Sequence, residues 1–99
     1  MGEFEQMVLL AVLRLDDDAY GMEVREEIEG RTGREVSYGA VYTTLDRLER
    51  KGFVAHRLGE ATPERGGRAR KYFHVLPAGR EALWATREAL AVMWEGVGP

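Results

Sequence analysis

Apolar positions in the first third of the chain recur at helical spacing. Phe4, Met7, Val8, Ala11 and Leu15 fall at i, i+3/i+4 intervals, while Leu9, Leu10, Val12 and Leu13 fill the remaining faces. A helix that is apolar nearly all round must be covered on more than one side. In so short a chain one cover is the core and the other is expected to be a second subunit, with Val8 and Val12 as candidate interface residues. The same periodicity returns from about Ala19 to Arg31, where Tyr20, Val24 and Ile28 form an i, i+4, i+8 stripe that stops at Thr32-Gly33. A third helix is expected from about Tyr38 to Lys51. Ser37 is its N-cap, Gly52 its stop, and Arg50 and Lys51 suit the negative end of its dipole. Val41, Leu45 and Leu48, with Tyr38, are expected to face inward. Gly39, Thr43, Asp46, Arg47 and Arg50 face outward, with Tyr42 on the flank.

The pattern then changes period. Phe53 to Leu58 and Lys71 to Leu76 read as short strands. The loop between them is too long for a tight hairpin turn, and Pro63, Gly66 and Gly67 keep it irregular. The last segment reads as one helix from Pro77 to about Gly96, opened by a proline in its first turn. Leu83, Leu90 and Val97 repeat every seven residues, with Met93 near the same side. Such a helix is roughly 30 Å long at ~1.5 Å per residue, more than the rest of a small domain can cover. Leu83, Leu90, Met93 and Val97 are therefore candidate dimer contacts. The expected fold is mainly α (α+β): a winged helix-turn-helix with a two-stranded wing (residues 1–76), then a long C-terminal dimerisation helix (residues 77–99), in one compact unit.

The 99 residues carry a net charge of -3, which argues mildly against nucleic acid until its distribution is considered. Residues 1–33 hold 3 basic and 9 acidic side chains, residues 34–74 hold 9 and 5, and residues 75–99 hold 2 and 3. Positive charge is gathered in the central block, which contains the third helix and the wing, as a local phosphate-binding face requires. Asp16, Asp17 and Asp18 read as a loop ending in an N-cap, because adjacent aspartates do not converge on one ion by themselves. The absence of cysteine excludes a disulfide framework, a thiolate zinc site and a cysteine nucleophile. No serine–histidine–acid spacing, phosphate-binding glycine fingerprint or metal ligand set supports an enzyme, and no cofactor is expected. The apolar run from Met7 to Leu13 has acidic flanks and no basic n-region, and it is too short to span a bilayer, so a cytoplasmic location without membrane contact is expected.

Each polar position of the third helix has a chemistry that suits duplex DNA. Gly39 permits close approach, and Thr43 can touch a thymine methyl or hydrogen-bond a base. Arg47 can reach a guanine edge or a phosphate, and Tyr38 and Tyr42 can hydrogen-bond phosphate through their hydroxyls. In the wing, glycines let the backbone lie close to the sugar-phosphate chain while arginines neutralise phosphates or enter the minor groove. Candidate DNA contacts are Ser37, Tyr38, Gly39, Tyr42, Thr43 and Arg47 on the helix, with Arg65, Gly67, Arg68, Arg70 and Lys71 on the wing.

The stretch from Ser37 to Val54, Ser-Tyr-Gly-Ala-Val-Tyr-Thr-Thr-Leu-Asp-Arg-Leu-Glu-Arg-Lys-Gly-Phe-Val, resembles the recognition-helix motif of PadR-like transcription regulators. Residues 66–79, Gly-Gly-Arg-Ala-Arg-Lys-Tyr-Phe-His-Val-Leu-Pro-Ala-Gly, resemble their wing motif, and Tyr20-Gly21 and the opening Gly-Glu-Phe-Glu-Gln fit as well. The resemblance implies a dimeric repressor, with Tyr38, Tyr42 and Thr43 in or beside the major groove and Arg68 and Lys71 on the backbone. It also implies an inverted-repeat operator with half-sites like ATGT and ACAT. The single C-terminal helix resembles the small subfamily, some members of which bind flat aromatic compounds between subunits. Departures are Val75-Leu76 where the family has Leu-Thr, at a cost of ~1 kcal/mol for the lost cap, and Phe73 for a wing tyrosine.

Trp84 and Trp94 have two readings: packing residues closed into the core, or the lining of a pocket for a small aromatic effector at the dimer interface. His56 and His74 read as wing-surface residues, since two histidines without cysteines make a poor metal site. The alternative to a DNA-binding regulator is a winged-helix module that binds protein, which would show no salt-dependent affinity for duplex DNA.

Overall fold

A computed structural model describes residues 1–59 and 69–98. Helix α1 (Glu3–Arg14) is followed by α2 (Gly21–Thr32) and α3 (Tyr38–Arg50), then strands β1 (Val54–Leu58) and β2 (Lys71–Val75), then α4 (Pro77–Trp94). The order matches the sequence reading, with ends shifted by a residue or two.

The three-helix core closes around β2. Val8, Leu9 and Val12 of α1, Val24 of α2, and Val41, Leu45 and Leu48 of α3 join Val54 and Phe73 in a core with almost no exposed surface. Each such side chain contributes roughly 1.5–3 kcal/mol of burial free energy. Phe73 is the largest fully buried side chain; the family's tyrosine would bring a hydroxyl that needs a partner there. Thr44, beside exposed Thr43, points inward.

The strands pair antiparallel, with Val54 opposite Val75 and Leu58 opposite Lys71. A third partner lies on the other edge of β2: Ala19 N donates to Phe73 O at 3.0 Å and Phe73 N to Ala19 O at 2.7 Å. The wing is thereby tied to Ala19, two residues before α2 begins.

The aspartate run does not cap α2 as the sequence implied. The N-cap is Tyr20, whose backbone N–H is bonded by Glu23 Oε1 at 3.1 Å. Asp16 and Asp17 take positive φ, 61° and 56°, a region that aspartate tolerates better than most residues. Asp17 Oδ1 accepts from Val75 N at 2.7 Å, while Arg80 of α4 lies 3.3 Å from Oδ2. Asp18 takes both arms of Arg57 in β1, at 3.1 and 2.7 Å. The carboxylates fasten the wing and the start of α4 to the body.

Helix α4 leaves the body along α1. Only Gly79 in its first turn is buried, and every residue from Arg87 to Gly98 is exposed. The chain is elongated accordingly, 56 × 28 × 21 Å. Val8 and Val12 are corrected here: they have no exposed surface and belong to the subunit's own core, so they offer nothing to a partner. Leu10 is the exposed apolar residue of α1.

Candidate nucleic-acid interface

Ser37 starts the recognition helix as expected: its Oγ accepts from Ala40 N at 3.1 Å, satisfying one of the free N–H groups of the first turn. Gly39, Ala40, Thr43, Asp46, Arg47 and Arg50 are exposed on the face opposite Val41, Leu45 and Leu48. A Cβ at Gly39 would meet nothing within 4 Å, so its smallness serves the outside of the molecule. Tyr38 is not a core residue: it is exposed, with its hydroxyl 3.4 Å from that of Tyr42 and the ring centres 4.9 Å apart. Burial, more than the Tyr38 hydroxyl, pushes the Tyr42 phenol up to about 12. Tyr42 therefore stays protonated and able to donate to a phosphate at any ordinary pH.

Arg47 is half exposed and leans toward α1, 3.8 Å from Glu5 Oε2. Lys51 Nζ donates to the same oxygen at 2.8 Å, and Gly2 N to Glu5 Oε1 at 3.3 Å. The Lys51 hydrogen bond, against the effect of burial, holds the Glu5 carboxyl below the usual carboxylate range. This pair anchors the C-terminal end of the recognition helix to α1.

On the wing, Lys71 is exposed at the outer end of β2. Arg70 lies over the Tyr20 ring, 4.2 Å from its centre. Arg65, Gly67 and Arg68 lie outside the described residues. His56 is half buried and its Nδ1 sits 2.9 Å from both Glu49 carboxylate oxygens, so it fastens β1 to α3 instead of simply facing solvent. It opposes Phe73, not His74.

Between α1 and α4 lies an apolar groove of about 520 Å³, lined by Leu10, Leu13, Leu83, Trp84, Leu90 and Trp94. Both tryptophans are mostly exposed, 59% and 63%, which excludes their closure into the subunit's own core. Among the described residues, no group of three or more His, Asp or Glu side chains is placed to hold a metal ion, and no helix is long and apolar enough to cross a membrane.

A helix-turn-helix whose second helix presents small and polar residues outward, flanked by a basic two-stranded wing, is the winged-helix DNA-binding fold. The chain belongs to the PadR-like family of transcriptional regulators, whose family model matches residues 9–85. It is 37% identical over 93 residues to the transcriptional regulator Rv3488 of Mycobacterium tuberculosis, covering 91% of this chain and 82% of that one. A PadR-like transcriptional regulator from Bacillus cereus has the same fold, with TM-score 0.74, 23% identity and coverage of 95% of this chain and 86% of the other. So does a winged-helix DNA-binding protein from STIV, with TM-score 0.72, 17% identity and coverage of 91% and 89%. Family membership makes the protein a transcription regulator and not an enzyme.

The residues that sequence reasoning missed are those that fix the wing: Tyr20, Tyr72, Arg57, Asp17 and Asp18. Tyr20-Gly21 was a visible signal. The aspartates had none beyond their loop position, because their partners lie 39 and 58 residues away.

Proposed function

We propose that the protein is a homodimeric repressor that places two α3 helices in successive major grooves of an inverted-repeat operator. Ser37, Tyr38, Gly39, Tyr42, Thr43 and Arg47 supply the helix contacts, and Lys71, with Arg65, Gly67 and Arg68, the wing contacts, while Arg70 lies inward over the Tyr20 ring. The observation that carries this reading is the bare outer half of α4. Leu90, Met93 and Trp94 of α4, with Val97 beyond the helix end at Trp94 (the sequence pattern implies about Gly96), stand in water on a single chain, and a second copy related by two-fold symmetry would cover them. The same symmetry pairs the recognition helices and calls for half-sites about one turn apart, ~34–36 Å along the duplex.

Footprinting on the DNA upstream of the protein's own gene tests this. The expected result is two protected half-sites, with Thr43 substitutions altering base preference. Lys71→Ala is expected to lower the salt slope by about one unit. No protection, or equal affinity for every duplex, would overturn it.

The groove between α1 and α4 supports the second element of the proposal, release by a flat apolar effector. Trp84 and Trp94 offer stacking faces in a space of about 520 Å³. A hundredfold loss of operator affinity needs only ~2.7 kcal/mol of differential binding between two dimer arrangements. Tryptophan emission titrated with planar aromatic compounds is expected to quench; a broad panel without any quenching would remove the effector.

A further inference from the structure

All four tyrosines of the chain lie in one continuous belt across the DNA-facing end of the molecule. It begins at α3, where Tyr38 and Tyr42 share their hydroxyl contact. The Tyr42 ring lies against Gly21, where a Cβ would sit 2.8 Å from a ring carbon, so a side chain there would push the ring aside. The preceding residue, Tyr20, carries the Arg70 guanidinium over its face at 4.2 Å and meets the Tyr72 ring edge-on, 5.6 Å between centres. Arg57 covers the Tyr72 ring at 4.6 Å and is itself held by Asp18. A Cβ at Gly59 would come within 2.5 Å of the Tyr72 ring. Two glycines thus make room for two belt tyrosines.

We propose that this belt sets the angle between the wing and the recognition helix, with Tyr20 as a positioning residue and Arg70 as its clasp on the wing. Elsewhere the wing is held near its root, by Ala19, Asp17 and His56. Toward its outer end, where Gly59 N donates to Arg70 O at 2.7 Å, the contacts among the described residues that reach back to the body are those of Tyr20 with Arg70 and Tyr72, beside the Arg57–Asp18 ion pair. A planar cation on a ring face and an edge-to-face ring pair are directional contacts. They restrict the strand pair to one orientation in a way that a greasy patch would not. Arg70 is spent on this inward contact, and Lys71 is left to meet phosphate.

The proposal rests on the DNA-binding reading for one arm of its test and on the free protein for the other. In the free protein, Tyr20→Leu is expected to speed amide exchange at Gly59 by roughly tenfold while α1 amides keep wild-type rates. Tyr20→Phe keeps the ring and is expected to restore wild-type exchange. On duplex DNA, Tyr20→Leu is expected to lower the salt slope by about one unit while leaving base preference intact. Arg70→Lys, which keeps the charge but loses the planar face, is expected to do the same. Wild-type exchange at Gly59 in Tyr20→Leu would overturn the proposal. So would acceleration spread equally into α1, which marks a general loss of stability, or a wild-type salt slope in Arg70→Lys, which marks a free phosphate contact. Absence of duplex binding by the wild-type protein would contradict the proposed function alone, because the exchange arm is read without DNA.

Discussion

Leu48 and Leu90 carry the same side chain to opposite ends. Leu48 of α3 is fully buried in the core, while Leu90 stands 48% exposed on α4. The contrast extends to their neighbourhoods. Up to the first turn of α4 most large apolar side chains are buried or half-buried, Leu10, Tyr38 and Leu58 being the exposed ones, and the polar groups that enter, such as Glu5 and Asp17, find partners. From Trp84 onward, Trp84, Leu90, Val92, Met93, Trp94 and Val97 are all exposed. Apolar surface of that extent along one helix marks an interaction site. The first region is a finished fold; the second, on the proposed reading, is half of one.

The comparison breaks most visibly when the finished region loses its centre. Phe73→Ala is expected to cost ~3–5 kcal/mol, read as a fall in melting temperature at every protein concentration. Asp17→Ala comes next. It leaves the Val75 N–H without its partner and places alanine at a positive φ, for a loss of about 1–3 kcal/mol. Asp17→Asn keeps the acceptor oxygen and is expected to lose much less in the same denaturant titration. Ser37→Ala is expected to cost ~1 kcal/mol through the cap of α3, small in melting but visible in DNA affinity if that turn meets the duplex as proposed.

Acid acts through Glu5. Its native pKa is lowered from 4.5 by Lys51, so its contribution is fully present above that value. The contribution fades as pH falls through the lower native value, because the unfolded chain then binds the proton more readily. Lys51→Met is expected to flatten stability against pH in that acid window. The smallest effect on the subunit belongs to the unfinished region. Met93, 74% exposed, is expected to leave the fold of the body unchanged when replaced by serine, and to alter only how melting depends on protein concentration.

The element order was legible because α2 and α3 each have a single buried stripe, α1 an unbroken apolar run at helical spacing, and each strand of the wing is short and bounded by turn residues. Ser37, Val41, Leu45 and Leu48 needed nothing but spacing. The errors have a common physical cause. Val8 and Val12 looked like surplus apolar surface, yet α1 is central, touched by α2, α3 and β2 on several sides, so an apolar circumference is what that position requires. Tyr38 fits an inward stripe by spacing alone, but the first turn projects beyond the core and its hydroxyl finds Tyr42. Asp17, Asp18 and His56 act across long sequence separations, and periodicity carries no information about those.

The mass of the free protein in solution tests the contrast between the two regions most directly. Multi-angle light scattering at micromolar concentration is predicted to give twice the 11.2 kDa of one chain, with truncation after Leu83 abolishing the dimer. A stable, folded particle of a single chain's mass would contradict the account, since the apolar face of α4 would then stand in water with nothing to cover it.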